Sequence, residues 1–326
     1  MAAQKLADAI AKTRQHLIKI QNQEAGWFPY KKDGDPSMEA SAWSLMALDQ
    51  VSAIQKGYNF ICQAQNADGG WSTKPDAGRS DWTSALALLS VRLLKPTLQA
   101  IPDQNLTKQK RLVKAGVEYL LDARYTYKPA TRLVMLVSKG GKALDKDRGW
   151  PWDPDCFHWI EPTAYSLMSL KLPNLPELYG QPEIKKVIQK GNKFILDHAC
   201  RGGGWNHGND ITLGAYLPAY RLTTAEALLA LQDLPDENKV KAGLAYLKTW
   251  SDKNTSAMSI AMSALALMAF DQDATQEIEM LLARQSPEGT FASTAVAAVN
   301  TVTTAVCCMA LIAFAEKKSL LFIGRQ

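Results

Sequence analysis

The chain of 326 residues is short of several things at once, and each shortage excludes a class of protein. Runs in which β-branched residues alternate with polar ones hardly occur, so strands have little to build on. No stretch approaches the roughly 18–20 consecutive apolar residues of a membrane-spanning helix, and MAAQKLADAI at the start lacks the apolar core of a secretion signal. Net charge is only +5, with the basic side chains scattered rather than gathered in a stripe, so nucleic acid is not an expected partner. Cysteine is scarce: Cys62, Cys156, Cys200, Cys307 and Cys308 are an odd number without a regular framework, which suits a reducing compartment. A soluble, cytoplasmic protein is the expectation. No Walker motif, dinucleotide fingerprint or nucleophile elbow stands in a suitable context, and no cofactor is expected.

What is present is repetition. QNQEAGW ends at Trp27, QNADGGW at Trp71, DRGW at Trp150, RGGGW at Trp205 and QSPEGTF at Phe291. Each follows an amphipathic segment, such as AIQKGYNFICQAQ or KKVIQKGNKFILDHAC, with charge on one face and Leu, Ile, Phe or Tyr on the other. Each precedes a segment that is nearly uncharged and dense in Ala and Ser: MEASAWSLMAL, WTSALALLSV, EPTAYSLMSL, TTAEALLALQDL and TVTTAVCCMALIAF. A fifth pair, VKAGLAYLKTW and SAMSIAMSALALMAF, lacks the aromatic turn and runs through SDKNTSAM instead. Helices that are small or apolar on all sides are buried ones, while those with one charged face are outer ones. Six alternating pairs predict an all-α fold, a single α/α toroid (an α6/α6 barrel) occupying 1–326 as one domain, with an insertion at about 125–146. In each turn the glycines end a helix, the aromatic residue fills the gap between neighbouring outer helices, and Gln65 bonds the free carbonyls of a helix end.

KGYNFICQAQNADGGW resembles the Gln–Trp repeat of squalene–hopene and oxidosqualene cyclases, whose toroid is shared with protein prenyltransferase β-subunits. On that resemblance the chain is a bacterial-type member with one ring, where a triterpene cyclase has two. In the hopene-forming relatives the proton donor is the middle aspartate of D-x-D-D-T-A, and in the sterol-forming ones the aspartate of V-D-C-T-A-E. Aligning either T-A on Thr163–Ala164 puts Glu161 at the donor position, without the aspartate pair, since Ile160 and Pro162 flank it. The zinc site of the prenyltransferases finds no counterpart: Glu161 and Thr163 stand where its Asp-x-Cys would be. Asp153, Asp155, Cys156, His158, His198, Cys200 and His207 do not supply four ligands at a sensible spacing, so no metal is expected.

The resemblance implies a class II-type, metal-independent cyclase or isomerase that protonates an isoprenoid-like apolar substrate. Glu161 would be the acid, with His158 polarising it and Asp155 as a further catalytic carboxylate. Trp152 and Trp159, which lie outside the repeat pattern, join Tyr165, Trp43 and Asp153 as candidates for binding substrate. The alternative for Glu161 is local: a carboxylate at a helix start answers free N–H groups and the helix dipole, as Glu39 and Asp81 would at similar offsets. Two other functions stay open. One is a non-catalytic toroid that binds a lipid, peptide or protein partner. The other is a carbohydrate-active toroid with Glu161 and Asp153 or Asp155 as paired carboxylates. The C-terminal KKSLLFIGRQ either packs across the ring or makes a peripheral membrane contact.

Overall fold

The computed structural model describes residues 3–94, 106–123, 133, 137, 149–154, 156–172, 182–209, 211–249, 255–294, 298–318 and 321. Apart from Leu133 and Val137, the expected insertion at 125–146 lies outside the described residues, as does Asp155. The helices run α1 (Ala3–Ile20), α2 (Met38–Ala47), α3 (Val51–Gln63), α4 (Thr83–Leu93), α5 (Leu106–Asp122), α6 (Ile160–Lys171), α7 (Pro182–Asp197), α8 (Arg221–Ala230), α9 (Asn238–Lys248), α10 (Ala257–Ala269), α11 (Thr275–Arg284) and α12 (Thr301–Glu316). The even-numbered helices pack each on the next, and α12 returns to α2, closing an inner ring; the odd-numbered ones lie outside it. The fold is the expected all-α toroid.

Burial follows the two sequence textures. Every residue of α6 is buried, as is α12 from Thr301 to Ala313, including Cys307 and Cys308. The outer α7 buries Ile184, Val187, Gly191, Asn192, Phe194 and Ile195 and leaves its lysines in water. Alanine and serine let the inner helices approach closely on all sides, where larger side chains would hold them apart. No helix among the described residues is long and apolar enough to cross a membrane. Leu321, in the C-terminal segment, is buried, and its carbonyl accepts from Gln232 Nε2 at 2.9 Å.

The aromatic turns act as fasteners in three directions. Backwards, the indole N–H groups of Trp71, Trp150 and Trp205 donate to Ile61, Leu120 and Ile195 near the ends of the preceding outer helices, at 2.7–2.8 Å. Forwards, each ring lies on a glycine of the next outer helix: a Cβ on Gly116, Gly191 or Gly243 would come within 2.9, 3.0 or 2.6 Å of it. Inwards, Ser84, Thr163 and Thr304 accept the backbone N–H of Trp71, Trp150 and Phe291 from 13 residues along, at 2.7–3.2 Å. Thr224 does the same for Trp205 from 19 residues along, and the longer stretch between them holds a hairpin of β5 (Ile211–Thr212) and β6 (Ala215–Tyr216). Matching hairpins, β1 (Phe28–Pro29) with β2 (Pro36–Ser37) and β3 (Trp150–Pro151) with β4 (His158–Trp159), precede α2 and α6.

This geometry corrects two expectations. In the first repeat the buried fastener is Phe28, whose N–H meets Ser41 Oγ at 2.9 Å, while Trp27 is only half-buried. Gly26 (φ +80°) there matches Gly69 (φ +88°), each so close to the next outer helix that a side chain would strike its backbone. Gln65 does not answer a helix end. It spans from Gly69 O to Leu112 O inside α5, just as Gln21 spans Gly26 O and Ala53 O of α3. Gln285 reaches Ala9 O of α1, so the sixth unit is stapled to the first.

Candidate functional site

A pocket of about 540 Å3 opens where the N-termini of the inner helices converge. Its walls carry Glu39 from α2, Trp82 just before α4, Glu161 and Tyr165 from α6, Thr223 and Glu226 from α8, Met258 from α10 and Thr303 from α12. Helix N-termini present positive partial charge and unsatisfied N–H groups, so this rim is where the fold best tolerates acids. It holds three.

Glu161 sits in the first turn of α6 and is 4% exposed. Its side chain does not turn back onto its own helix. Oε1 instead accepts from Thr223 Oγ1 at 2.9 Å and meets His207 Nδ1, while Oε2 is buried without a hydrogen-bond partner. Of the three acids at helix starts, Asp81 bonds the first N–H of its helix: it accepts from the N–H of Thr83 at 2.8 Å, and from that of Thr73 in the preceding turn at 2.7 Å. Ser37, not Glu39, caps α2.

His207 comes from the turn after Trp205, which the Asn206 side chain organises by accepting from the N–H groups of Gly208 and Asn209. The His207 carbonyl also accepts the N–H of Ile160 at 3.3 Å, so backbone and side chain both hold this turn to the start of α6. Its ring stands between Trp159 and Tyr220, 5.6 and 5.0 Å away. The imidazole side chain is 53% exposed, against 6% for that of Glu161, so His207 links the buried acid to solvent.

The expected partner, His158, is elsewhere. Successive strand residues point to opposite faces. Trp159 therefore meets His207, while His158 turns to Phe194 of α7. Asp153 pairs with Arg79 at 3.0 Å, with both side chains about half exposed, and does not line the pocket. Trp159 also lies off the lining, and Trp43 is wholly buried behind Tyr165, ring centroids 6.0 Å apart. Trp152 and Tyr165 do line it. They flank Trp82, at 4.7 and 5.8 Å, and the Trp82 N–H donates to the Trp152 carbonyl. Among the described residues no three His, Cys, Asp or Glu side chains gather as a metal site would.

Sequence reading passed over Glu226, the remaining acid. It is 2% exposed on the second turn of α8; its Oε1 accepts the Tyr165 hydroxyl, and its Oε2 has no partner. Burial, followed by the charge of Glu161, pushes its pKa well above the usual carboxylate range, although the Tyr165 hydroxyl pulls the other way. Burial likewise raises Glu39 to about 7, with Asp81 adding to the shift, and raises Tyr165, beside Glu226. The available signal was a carboxylate in the middle of TTAEALLALQDL, among Ala and Leu residues, where Asp233 stands only at the far end.

No protein-family model and no curated protein matches the chain. Solved structures do. The type II terpene cyclase MstE from Scytonema, in its apo form, is 14% identical over 97% of this chain and 100% of its own, with a TM-score of 0.61. A variant of the same enzyme in complex with its substrate, geranylgeranyl dihydroxybenzoate, is 13% identical over 97% and 98%, also at 0.61. A wild-type glycosidase is 9% identical over 98% of both chains, at 0.64. What this chain has in common with these enzymes of two different chemistries is the toroid.

Proposed function

We propose that the protein is a metal-independent cyclase or isomerase that protonates an isoprenoid-like polyene, with Glu161 as the acid. One observation carries this reading: a buried carboxyl group, held through one oxygen by His207 and Thr223 and unpartnered at the other, in a pocket walled by Trp82, Trp152 and Tyr165. A carboxyl proton on Oε2 has no protein acceptor to satisfy it. An alkene carbon brought against it takes the proton, a C–H bond forms and the neighbouring carbon becomes cationic. The hydrogen bonds already on Oε1 stabilise the carboxylate left behind, without reorganisation at the moment of reaction.

The later steps need faces rather than bases. The next double bond attacks the cation and closes a ring, and the faces of Trp82, Trp152 and Tyr165 stabilise the positive charge as it moves. Loss of a proton from the last cation to water at the open mouth gives a cyclic isomer, so atoms and charge balance. Glu161 regains its proton through His207, whose exposed side reaches water. Glu226, kept neutral by burial, adds no negative charge to compete with the donor. The fold likeness to a terpene cyclase whose substrate bears a geranylgeranyl chain supports the substrate class.

The test is incubation with linear isoprenoid polyenes and detection of a cyclic product of unchanged mass. Glu161→Gln should lose roughly 10²–10⁴ of the rate, the usual contribution of a general acid, while its melting temperature hardly moves. Binding without turnover would replace the enzyme with a lipid-binding toroid. A second reading has its own observation, three carboxylates in one mouth on a toroid that glycosidases share. Glu161-dependent hydrolysis of a glycoside, with polyenes untouched, would establish it instead.

A further inference from the structure

Where the ring closes, the sixth unit meets the first along a seam: Thr13 Oγ1 donates to Gly289 O and Gln285 Nε2 to Ala9 O, both at 2.8 Å. Along that seam runs a second cleft of about 540 Å3, between α1 and residues 287–290 and 299–301. Lys12 and Lys19 share one face of α1 and line one wall; Lys32, from the loop between β1 and β2, joins them. None of these lysines has an ion pair among the described residues, and Glu288 is the carboxylate that lines the cleft with them. The field is felt locally: burial and then Lys19 lower the pKa of His16, Glu288 opposes them, and Lys32 lowers it further.

Spacing and lining decide what such a cleft can hold. Seven residues of helix set Lys12 and Lys19 about 10 Å apart along the wall, at roughly 1.5 Å per residue. Charges strung over that length suit a drawn-out anion better than a compact one. They match carboxylates about three residues apart on an extended chain, which rises roughly 3.3 Å per residue. The lining is also apolar in part, through Ile20, Pro287 and Val299, with Val299 41% exposed. A peptide with acidic side chains and an apolar one among them answers both features.

We infer that this cleft is a docking groove for an acidic, extended segment of a partner protein, seated along the seam of the ring. Lysine ammonium groups form charge-assisted hydrogen bonds to the segment's carboxylates, and Ile20 and Val299 cover its apolar side chain. The partner would stand next to the mouth. Asn300 lines both spaces, and the N–H of Thr301, in the cleft, donates to the carbonyl of Tyr30, in the mouth, at 2.9 Å. Docking here is independent of the reaction proposed for the mouth.

The probe is a fluorescein-labelled decapeptide of glutamates and leucines among serines, compared with its counterpart carrying glutamine for every glutamate. Read by fluorescence anisotropy, the wild type should bind the acidic peptide at least about tenfold more tightly, a difference of about 1.4 kcal/mol. The triple variant Lys12→Gln, Lys19→Gln, Lys32→Gln, at exposed positions, should lose the preference. Glu288→Gln, which takes the opposing charge out of the lining, should tighten binding several-fold, a gain that misfolding cannot imitate. Equal binding of the two peptides, binding of neither, a preference that survives in the triple variant, or no gain in Glu288→Gln would overturn the inference. Displacement of the peptide by equimolar inorganic diphosphate would also overturn it, making the cleft a compact-anion site. Lysine-dependent binding to phosphatidylserine vesicles without binding of the peptide would replace the partner with a membrane.

Discussion

At the C-terminal rim of the inner ring, the buried Arg92 and Lys171 and the half-buried Arg14 all reach carbonyls at helix ends. Arg92, 2% exposed, donates to the carbonyls of Ser169, Leu170 and Leu172 at the end of α6. Lys171 reaches Ala230 O at the end of α8 and Asp233, at 2.6 and 2.5 Å, and Arg14 reaches Ala47 O at the end of α2 and Asp49, at 3.0 and 2.6 Å. At the N-terminal rim the acids Glu161 and Glu226 each keep a buried oxygen without a partner, and Glu39 has its pKa raised to about 7. The acids Glu39 and Glu161 at helix starts and the bases at helix ends follow the helix dipole; Arg221, the buried base that starts α8, is instead paired with Glu277 of α11 at 2.7 Å. One rim spends its charges on orphan carbonyls and the other holds them unsatisfied. An unsatisfied buried polar group costs about 1–3 kcal/mol, so the N-terminal rim carries a cost that the C-terminal rim avoids.

The largest expected effect breaks the satisfied rim. Arg92→Met leaves the last carbonyls of α6 without donors, and denaturant unfolding should show a loss of about 3 kcal/mol. The same variant, assayed while still folded, should turn substrate over at the wild-type rate, because Glu161 stands at the other end of α6. A stable Arg92→Met protein would mean that this rim, too, carries idle charge.

A pH scan sharpens the comparison from the other side. Glu39 binds its proton more tightly in the fold, at about 7, than at its ordinary value of 4.5. Its contribution to stability is therefore complete below pH 4.5, falls as pH rises towards 7 and is flat above. After discounting for its partial exposure, the loss is about 2 kcal/mol, and Glu39→Gln should flatten that part of the curve. Glu226, also raised by burial, should add to the fall of stability with rising pH until Glu226→Gln removes its share. A curve that rises from pH 4.5 to 7 and ignores both substitutions would show the mouth acids to be satisfied after all.

The satisfied parts of the molecule were also the legible ones. Repeated turns, charged outer faces and Ala-Ser inner helices announce a ring because each depends on neighbours in sequence. Even there, two adjacent aromatics hid the register, and Ser41, 13 residues on, selects Phe28 over Trp27. The site was harder to read. Glu161, Trp152 and Tyr165 could be named from one stretch, 148–167, and they do share the pocket. His207 and Thr223 meet Glu161 from 46 and 62 residues away, across the contact of α6 with α8, so no local pattern could have preferred His207 to His158. Glu226 is hidden for the opposite reason: TTAEALLALQDL reads as a buried inner helix, and no motif around its acid marks it out.

The smallest effect is the most discriminating. Thr223→Val keeps the shape of the side chain and removes one of the two hydrogen bonds to Glu161 Oε1, leaving His207 in place. If the N-terminal rim is organised for chemistry, stability should fall by no more than about 1 kcal/mol, the net worth of an ordinary hydrogen bond. The rate should fall several-fold, because the carboxylate formed on proton transfer has lost a preorganised donor. Substrate affinity should stay put, since the lost donor acts on charge that develops only as the proton is transferred. A loss of 3 kcal/mol with an unchanged rate would make Thr223 a fastener like Ser84 or Thr163, and the two rims would then differ in charge but not in purpose.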